Sequence, residues 1–127
     1  MTPPFATNYF AFYGSLRRGM QNHRLFEAGL MYVHSVWLRG YKMFALDDYP
    51  CVVKADSTHK ILVEVMQTTD PEWATKIHQL EIEAGYMFET VSIGNRQAVL
   101  YFFETIPNDR WVQSGDWVTF FRESGRF

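Results

Sequence analysis

Apolar residues crowd Asn8-Tyr9-Phe10-Ala11-Phe12-Tyr13 without alternation, the pattern of a strand buried on both faces. The run stops at Gly14-Ser15 and turns basic at Arg17-Arg18-Gly19. Asn22 is placed to cap a short helix through Phe26 to Ala28, which Gly29 ends. Met31–Leu38, rich in Val and aromatics and closed by Arg39-Gly40, predicts a strand, and Tyr41–Leu46 predicts another. Asp47-Asp48-Tyr49-Pro50 has the composition of a turn. Lys60–Met66 predicts the next strand, with Glu64 as its odd polar member.

The clearest helix follows. Asp70-Pro71 fits an N-cap with proline at the first helical position, and Thr69 with Glu72 fits a capping box. Both signals start a helix at the same place. Trp73, Ile77 and Leu80 then fall on one face, and Gly85 lies near the end. Tyr86–Ile93 and Arg96–Phe103 are two strands joined by Gly94-Asn95, a hairpin link. Ser114-Gly115-Asp116 is a turn, and Trp117–Phe121 reads as a last strand. The strands do not alternate regularly with helices, which disfavours a doubly wound parallel sheet. The expected class is α+β: a mixed, curved sheet of about seven strands closing to a small barrel, with two flanking helices.

The chain has 127 residues, so a single domain over 1–127 is expected. Hydrophobic residues are 47% and charged residues 20%, which separates it from disordered chains. Twelve basic against fourteen acidic residues leave −2, with no basic surface implied for nucleic acid. No apolar run reaches the length of a membrane span. Met1-Thr2-Pro3-Pro4 has no basic patch leading into an apolar stretch, so no secretory signal is expected. The single cysteine, Cys51, forbids an internal disulfide, and a reducing, cytoplasmic setting is the simplest reading. Gly125-Arg126-Phe127 reads as a short tail.

Little in the chain carries an obvious chemistry. His23, His34, His59 and His78 have no paired spacing, and no zinc motif is present. Cys51 lies between Pro50 and Val52-Val53, an apolar setting that suits packing. Ser15 lacks the Gly-x-Ser-x-Gly frame of a nucleophile elbow. Two features remain. One is the strand exit Tyr13-Gly14-Ser15-Leu16, where consecutive N–H groups in a bend could hold an anion. Its alternative is an ordinary turn followed by two solvated arginines. The other is Glu81, eight residues after Trp73 and so turned along the apolar face. Partial desolvation and the helix C-terminus both raise the pKa of such a carboxylate toward the range useful to a general base. Its alternative is a solvated glutamate at a frayed helix end, and Glu83 is a competing carboxylate.

Phe10-Ala11-Phe12-Tyr13-Gly14-Ser15-Leu16-Arg17-Arg18-Gly19, followed by Asn22-His23, resembles the opening of the gamma-glutamylcyclotransferase-like family. Tyr49-Pro50 with Val52-Val53, the Glu64 strand, Ile77-His78-Gln79-Leu80-Glu81 and Ser114-Gly115-Asp116-Trp117 resemble later family segments in the same order. The resemblance implies a compact mixed β-barrel with flanking helices. It implies an enzyme that cyclises a gamma-glutamyl group to 5-oxoproline and releases an amine or amino acid. It implies a small-molecule gamma-glutamyl substrate, no cofactor, no metal and a monomer. The same resemblance makes Glu81 the acid/base and Tyr13, Gly14, Ser15 and Leu16 the substrate-binding loop. The chain departs from the family pattern at several positions. Ile82 replaces a glycine after the glutamate, Met87 and Glu89 stand where a Tyr-x-Arg pair is common, and Phe103 stands near Tyr101 where a tyrosine is usual. Retention of the pocket without turnover, a small-molecule-binding module, is the alternative function.

Overall fold

The computed structural model describes residues 3–125, and the first apolar run forms the centre of its main sheet. Arg126 and Phe127 of the expected tail lie outside the described residues. Strand β1 is Tyr9–Phe12. The other strands are β2 (Leu30–Arg39), β3 (Tyr41–Ala45), β4 (Pro50–Lys54), β5 (Lys60–Thr68), β6 (Met87–Ile93) and β7 (Arg96–Phe102). Five of them build one mixed sheet in the order β2-β5-β1-β7-β6. Strand β1 runs antiparallel to β5 and parallel to β7. The Gly94-Asn95 link closes the antiparallel β6–β7 hairpin with Ile93 opposite Arg96.

Strands β3 and β4 form a separate antiparallel ribbon, not two members of one closing sheet. The expected small barrel is therefore corrected: β2 and β6 remain the edges of an open five-stranded sheet, with no pairing between them. Part of the reason is a second correction. Trp117–Phe121, expected as a strand, begins helix α3 (Trp117–Glu123) and supplies no closing strand. Asp116 caps α3 by accepting from the Thr119 backbone and hydroxyl. Trp117, Phe120 and Phe121 then share one face, their rings 5.3 and 5.5 Å from Trp117. With α1 (His23–Phe26) and α2 (Pro71–Glu83), the described residues hold three α-helices, not two.

Alternation along β1 explains why it is apolar throughout. Phe10 and Phe12 enter a core cluster with Ala74 and Ile77 of α2, whereas Ala11 enters another with Trp117 of α3. Helix α2 starts where the sequence placed it. The Asp70 carboxylate accepts from the N–H groups of Glu72 (2.9 Å) and Trp73 (3.3 Å), so Asp70, not Thr69, is the cap. Gly29 allows α2 to sit close, since a Cβ there would lie 2.1 Å from the Trp73 ring.

Candidate active site

The end of β1 and the last turn of α2 converge on one cavity of about 210 Å³. This is below the roughly 300–1,000 Å³ of sites for drug-sized ligands, a size for a small metabolite. Tyr13, Gly14, Ser15 and Leu16 line it from the β1 side, and Leu80, Glu81 and Ala84 from α2. Tyr49, Pro50, Tyr86 and Tyr101 complete the walls. Tyr13, Gly14, Ser15, Leu16 and Glu81, the residues singled out for the binding loop and the acid/base, thus all line this space.

The loop after β1 is built to leave its amides open. The Gly14 carbonyl accepts from Arg17 N–H, and the Ser15 carbonyl accepts from the N–H groups of Asn22 and His23, each at 3.0 Å. Asn22 Nδ2 donates to Ser15 Oγ at 2.9 Å. Among the described residues, the N–H groups of Gly14, Ser15 and Leu16 have no partner. Three successive amides without a partner, on residues that line the cavity, are donors available to oxygen atoms of a ligand.

Of the two arginines that follow, Arg17 departs from the solvated alternative, whereas the Arg18 side chain stays half exposed. Arg17 is only 6% exposed and Glu64 only 3%. Arg17 Nε donates to Glu64 Oε2 and an Arg17 terminal nitrogen donates to Asp116 Oδ1, both at 2.8 Å. Arg18 donates to Glu64 Oε1 through its backbone N–H and its Nε, both at 3.0 Å. Burial raises the Glu64 carboxyl, but the hydrogen bonds from Arg17 and Arg18 outweigh it and leave the pKa lowered. This network ties the donor loop to β5 and to the start of α3. In the sequence Glu64 stands out only as an odd polar residue and Arg17 only as a basic one, and nothing there joins them.

Glu81 is half-buried, and its carboxyl has no hydrogen-bond or ion-pair partner among the described residues. Desolvation alone pushes it up to about 7. Three phenols share the cavity with it. Tyr13 donates to the Tyr101 carbonyl at 2.7 Å, and Tyr86 donates to the Pro50 carbonyl at 2.5 Å. The Tyr101 hydroxyl lies 2.9 Å from His78 Nδ1. All three phenols are pushed up, first by burial, with the Glu81 charge adding to it. Glu83, the competing carboxylate, is exposed, accepts from Gln79 at 3.2 Å and does not line the cavity.

The departures from the expected pattern also find places. Ile82 is 43% exposed and outside the cavity. Glu89 lies on β6, accepting from the Tyr41 hydroxyl and pairing with Lys54 at 2.8 Å. Tyr101 lines the cavity, whereas Phe103 packs on Tyr86 with ring centres 4.9 Å apart. Cys51 is buried, with its thiol pushed up to about 12 by desolvation, as a packing residue should be. No described group of three or more His, Cys, Asp or Glu gathers to hold a metal ion.

Residues 10–119 match the family described as gamma-glutamyl cyclotransferase, AIG2-like. The chain belongs to that family. PH0828 of Pyrococcus horikoshii, whose name gives it as a candidate gamma-glutamylcyclotransferase, is 31% identical over 106 residues, 84% of this chain and 87% of that protein. Its crystal structure superposes with a TM-score of 0.79 at 29% identity, covering 92% of this chain and 95% of the other. A protein specific to uropathogenic E. coli gives 0.75 at 17% identity, covering 97% and 99% of the two chains. A mouse AIG2-like protein gives 0.65 at 16% identity, covering 81% and 82%. The last two likenesses concern the fold alone. The family match spans both the Tyr13–Leu16 loop and Glu81. No helix among the described residues is long and apolar enough to cross a membrane.

Proposed function

We propose that this cavity converts a small gamma-glutamyl compound to 5-oxoproline and a free amine or amino acid, with Glu81 as the acid/base. The observation that supports the reading is a carboxylate without a partner among the described residues that lines one small cavity together with three residues whose amides are also unpaired. Family membership supports the same reaction class.

The chemistry needs only these groups. The unpaired N–H groups of Gly14, Ser15 and Leu16 bind oxygen atoms of the glutamyl moiety and hold it folded, so that its alpha-nitrogen faces its own gamma-carbonyl. Closing that distance is a proximity effect. Glu81 takes a proton from the alpha-ammonium, freeing the lone pair that attacks the gamma-carbon. A carbon–nitrogen bond forms and closes the five-membered ring. The bond from the gamma-carbon to the leaving nitrogen breaks as Glu81 returns its proton to that nitrogen, and the ring nitrogen passes its second surplus proton to the departing amine, leaving a neutral lactam and an ammonium. A group that titrates near 7 both accepts and returns a proton readily at neutral pH. No step requires a metal or a covalent intermediate.

The test is a 5-oxoproline release assay over gamma-glutamyl amino acids, gamma-glutamyl amines and glutathione. The parent protein is expected to release 5-oxoproline from at least one donor. The Glu81→Gln protein is expected to lose about 10²–10⁴-fold in rate, the usual contribution of a positioned acid/base, while still binding 5-oxoproline. Silence of the parent across the whole panel, with 5-oxoproline binding intact, replaces this reading with the binding-module one.

A further inference from the structure

We propose that His78 is a positioning residue that fixes the direction of the Tyr101 hydroxyl and so decides whether Glu81 faces a hydrogen-bond donor. The proposal rests on the reading of Glu81 as the acid/base. His78 and Glu81 stand one turn apart on α2, so they project to neighbouring positions on the same side of the helix. Tyr101 reaches both places: its hydroxyl meets His78 Nδ1 at 2.9 Å, and it lines the cavity with Glu81.

The phenols around Glu81 are not equivalent. The protons of Tyr13 and Tyr86 are committed to the carbonyls of Tyr101 and Pro50. The Tyr101 proton has a choice, because an imidazole nitrogen can accept or donate according to its protonation. While Nδ1 carries a lone pair, Tyr101 donates to it and turns its oxygen lone pairs toward the cavity. Once Nδ1 carries a proton, Nδ1–H donates to the Tyr101 oxygen, and the phenolic proton must point elsewhere. Glu81 or a bound substrate oxygen is then the acceptor within the cavity.

The surroundings of His78 favour an uncharged imidazole, which gives the first state when its proton sits on Nε2. The Phe5 and Phe88 rings meet the imidazole edge-on at 5.3 and 5.1 Å, and Tyr101 covers it at 5.8 Å. Desolvation lowers the pKa of His78, and no charged group contributes to the shift. The titratable group facing it from β7 is Tyr101, its contacts Phe5 and Phe88 carry none, and Glu81 follows on its own helix. Glu81 in turn is faced by Tyr13, Tyr86 and Tyr101. At neutral pH His78 therefore stays uncharged, and with its ring proton on Nε2 all three phenolic protons are held away from Glu81.

The experiment reads Glu81 directly, by carbon-13 NMR titration of the side-chain carboxyl, assigned through its absence from Glu81→Gln. His78→Leu removes the acceptor, so Tyr101 turns its proton to Glu81. The Glu81 midpoint is expected to fall by about one pH unit, since a hydrogen bond to the charged form favours it. His78→Asn, which keeps an acceptor, is expected to stay near the parent value. His78→Leu combined with Tyr101→Phe is expected to lose the downward shift. An unchanged midpoint in His78→Leu, or an equal fall with Tyr101→Phe present, overturns the proposal. Tyr101→Phe alone gives a second test that does not depend on His78→Leu folding. The proposal expects no rise in the Glu81 midpoint, and a rise overturns it by showing that the hydroxyl already donates to Glu81. If the midpoints move as expected but no gamma-glutamyl donor is turned over, the reaction assigned to Glu81 falls and the His78 role stands.

Discussion

Gly14 lies against the ring of Pro50 so closely that a Cβ on Gly14 would sit 2.8 Å from Pro50 Cδ and Cγ. In the sequence, this glycine belonged to a bend whose N–H groups could hold an anion. In the folded chain it lets the donor loop approach the first residue of β4. Pro50 cannot yield freely, because its carbonyl holds the Tyr86 hydroxyl. Gly14→Ala is therefore expected to cost about 1–3 kcal/mol through overpacking and to weaken 5-oxoproline binding. Gly94→Ala is the control. Its added Cβ meets nothing, and only the left-handed backbone at φ 63° is strained, so binding is expected to be unchanged. Urea unfolding midpoints and ligand titrations on the two variants separate the effects.

Glu64 should hold the donor loop from below. Removing its charge leaves Arg17 buried with Asp116 as its remaining carboxylate. Breaking a buried ion pair from one side commonly costs about 3–5 kcal/mol, and Glu64→Gln is expected near the lower end, because an amide oxygen can still accept. The sign with pH follows from the lowered carboxyl. The stabilisation is complete above the unfolded value of 4.5 and is lost as pH falls through the folded one. The parent and Glu64→Gln should thus converge in stability in acid, separate as the pH rises toward 4.5, and keep a constant difference above it. Urea unfolding of the two proteins across that range checks it.

Asp116 serves two structures at once, capping α3 and accepting from Arg17. Asp116→Ala is expected to lose more than the roughly 0.5–2 kcal/mol of a cap alone. Asp116→Asn keeps the capping oxygen but not the charge, and should fall between the parent and Asp116→Ala in thermal unfolding. Equal losses in the two variants would show that the cap contributes nothing.

The legible features of the chain were mostly local. Asp70-Pro71 starts α2 because a cap and a proline act within one turn. Gly94-Asn95 closes its hairpin because two residues decide the turn. Glu81 was legible because helical periodicity continues from Trp73 and Ile77 to its position. The errors arose where the segment was short or the partner distant. Trp117-Val118-Thr119-Phe120-Phe121 is too brief for its period to separate helix from strand, although Asp116 before Trp117, Phe120 and Phe121 was a usable cap signal. The Arg17–Glu64 and Arg17–Asp116 bonds join positions 47 and 99 residues apart, and nothing near Arg17 announces them. The barrel failed for a related reason: strand content can be read locally, but which strands pair at the edges cannot. The cavity role of Tyr101 depended on the β1–β7 parallel pairing, also a long-range fact.

Glu81 carries the prediction that links site and stability. Burial raises its carboxyl from 4.5 to about 7 in the folded chain. The folded protein therefore holds this proton more tightly than the unfolded chain does. Between pH 4.5 and about 7, folding takes up a proton, and raising the pH works against the folded state. Above about 7 the carboxylate is ionised in both states, and the penalty is constant. Its full size is on the order of 3–4 kcal/mol, from the value of one pKa unit. Glu81→Gln removes this contribution and leaves the other titrating groups in place. The stability of Glu81→Gln relative to the parent is expected to grow from pH 4.5 to about 7 and then level off, while 5-oxoproline release is lost across the same range. Urea unfolding of both proteins at several pH values checks it. A difference that does not change with pH would mean that Glu81 is solvated, and the base assigned to the cavity would have to be another group.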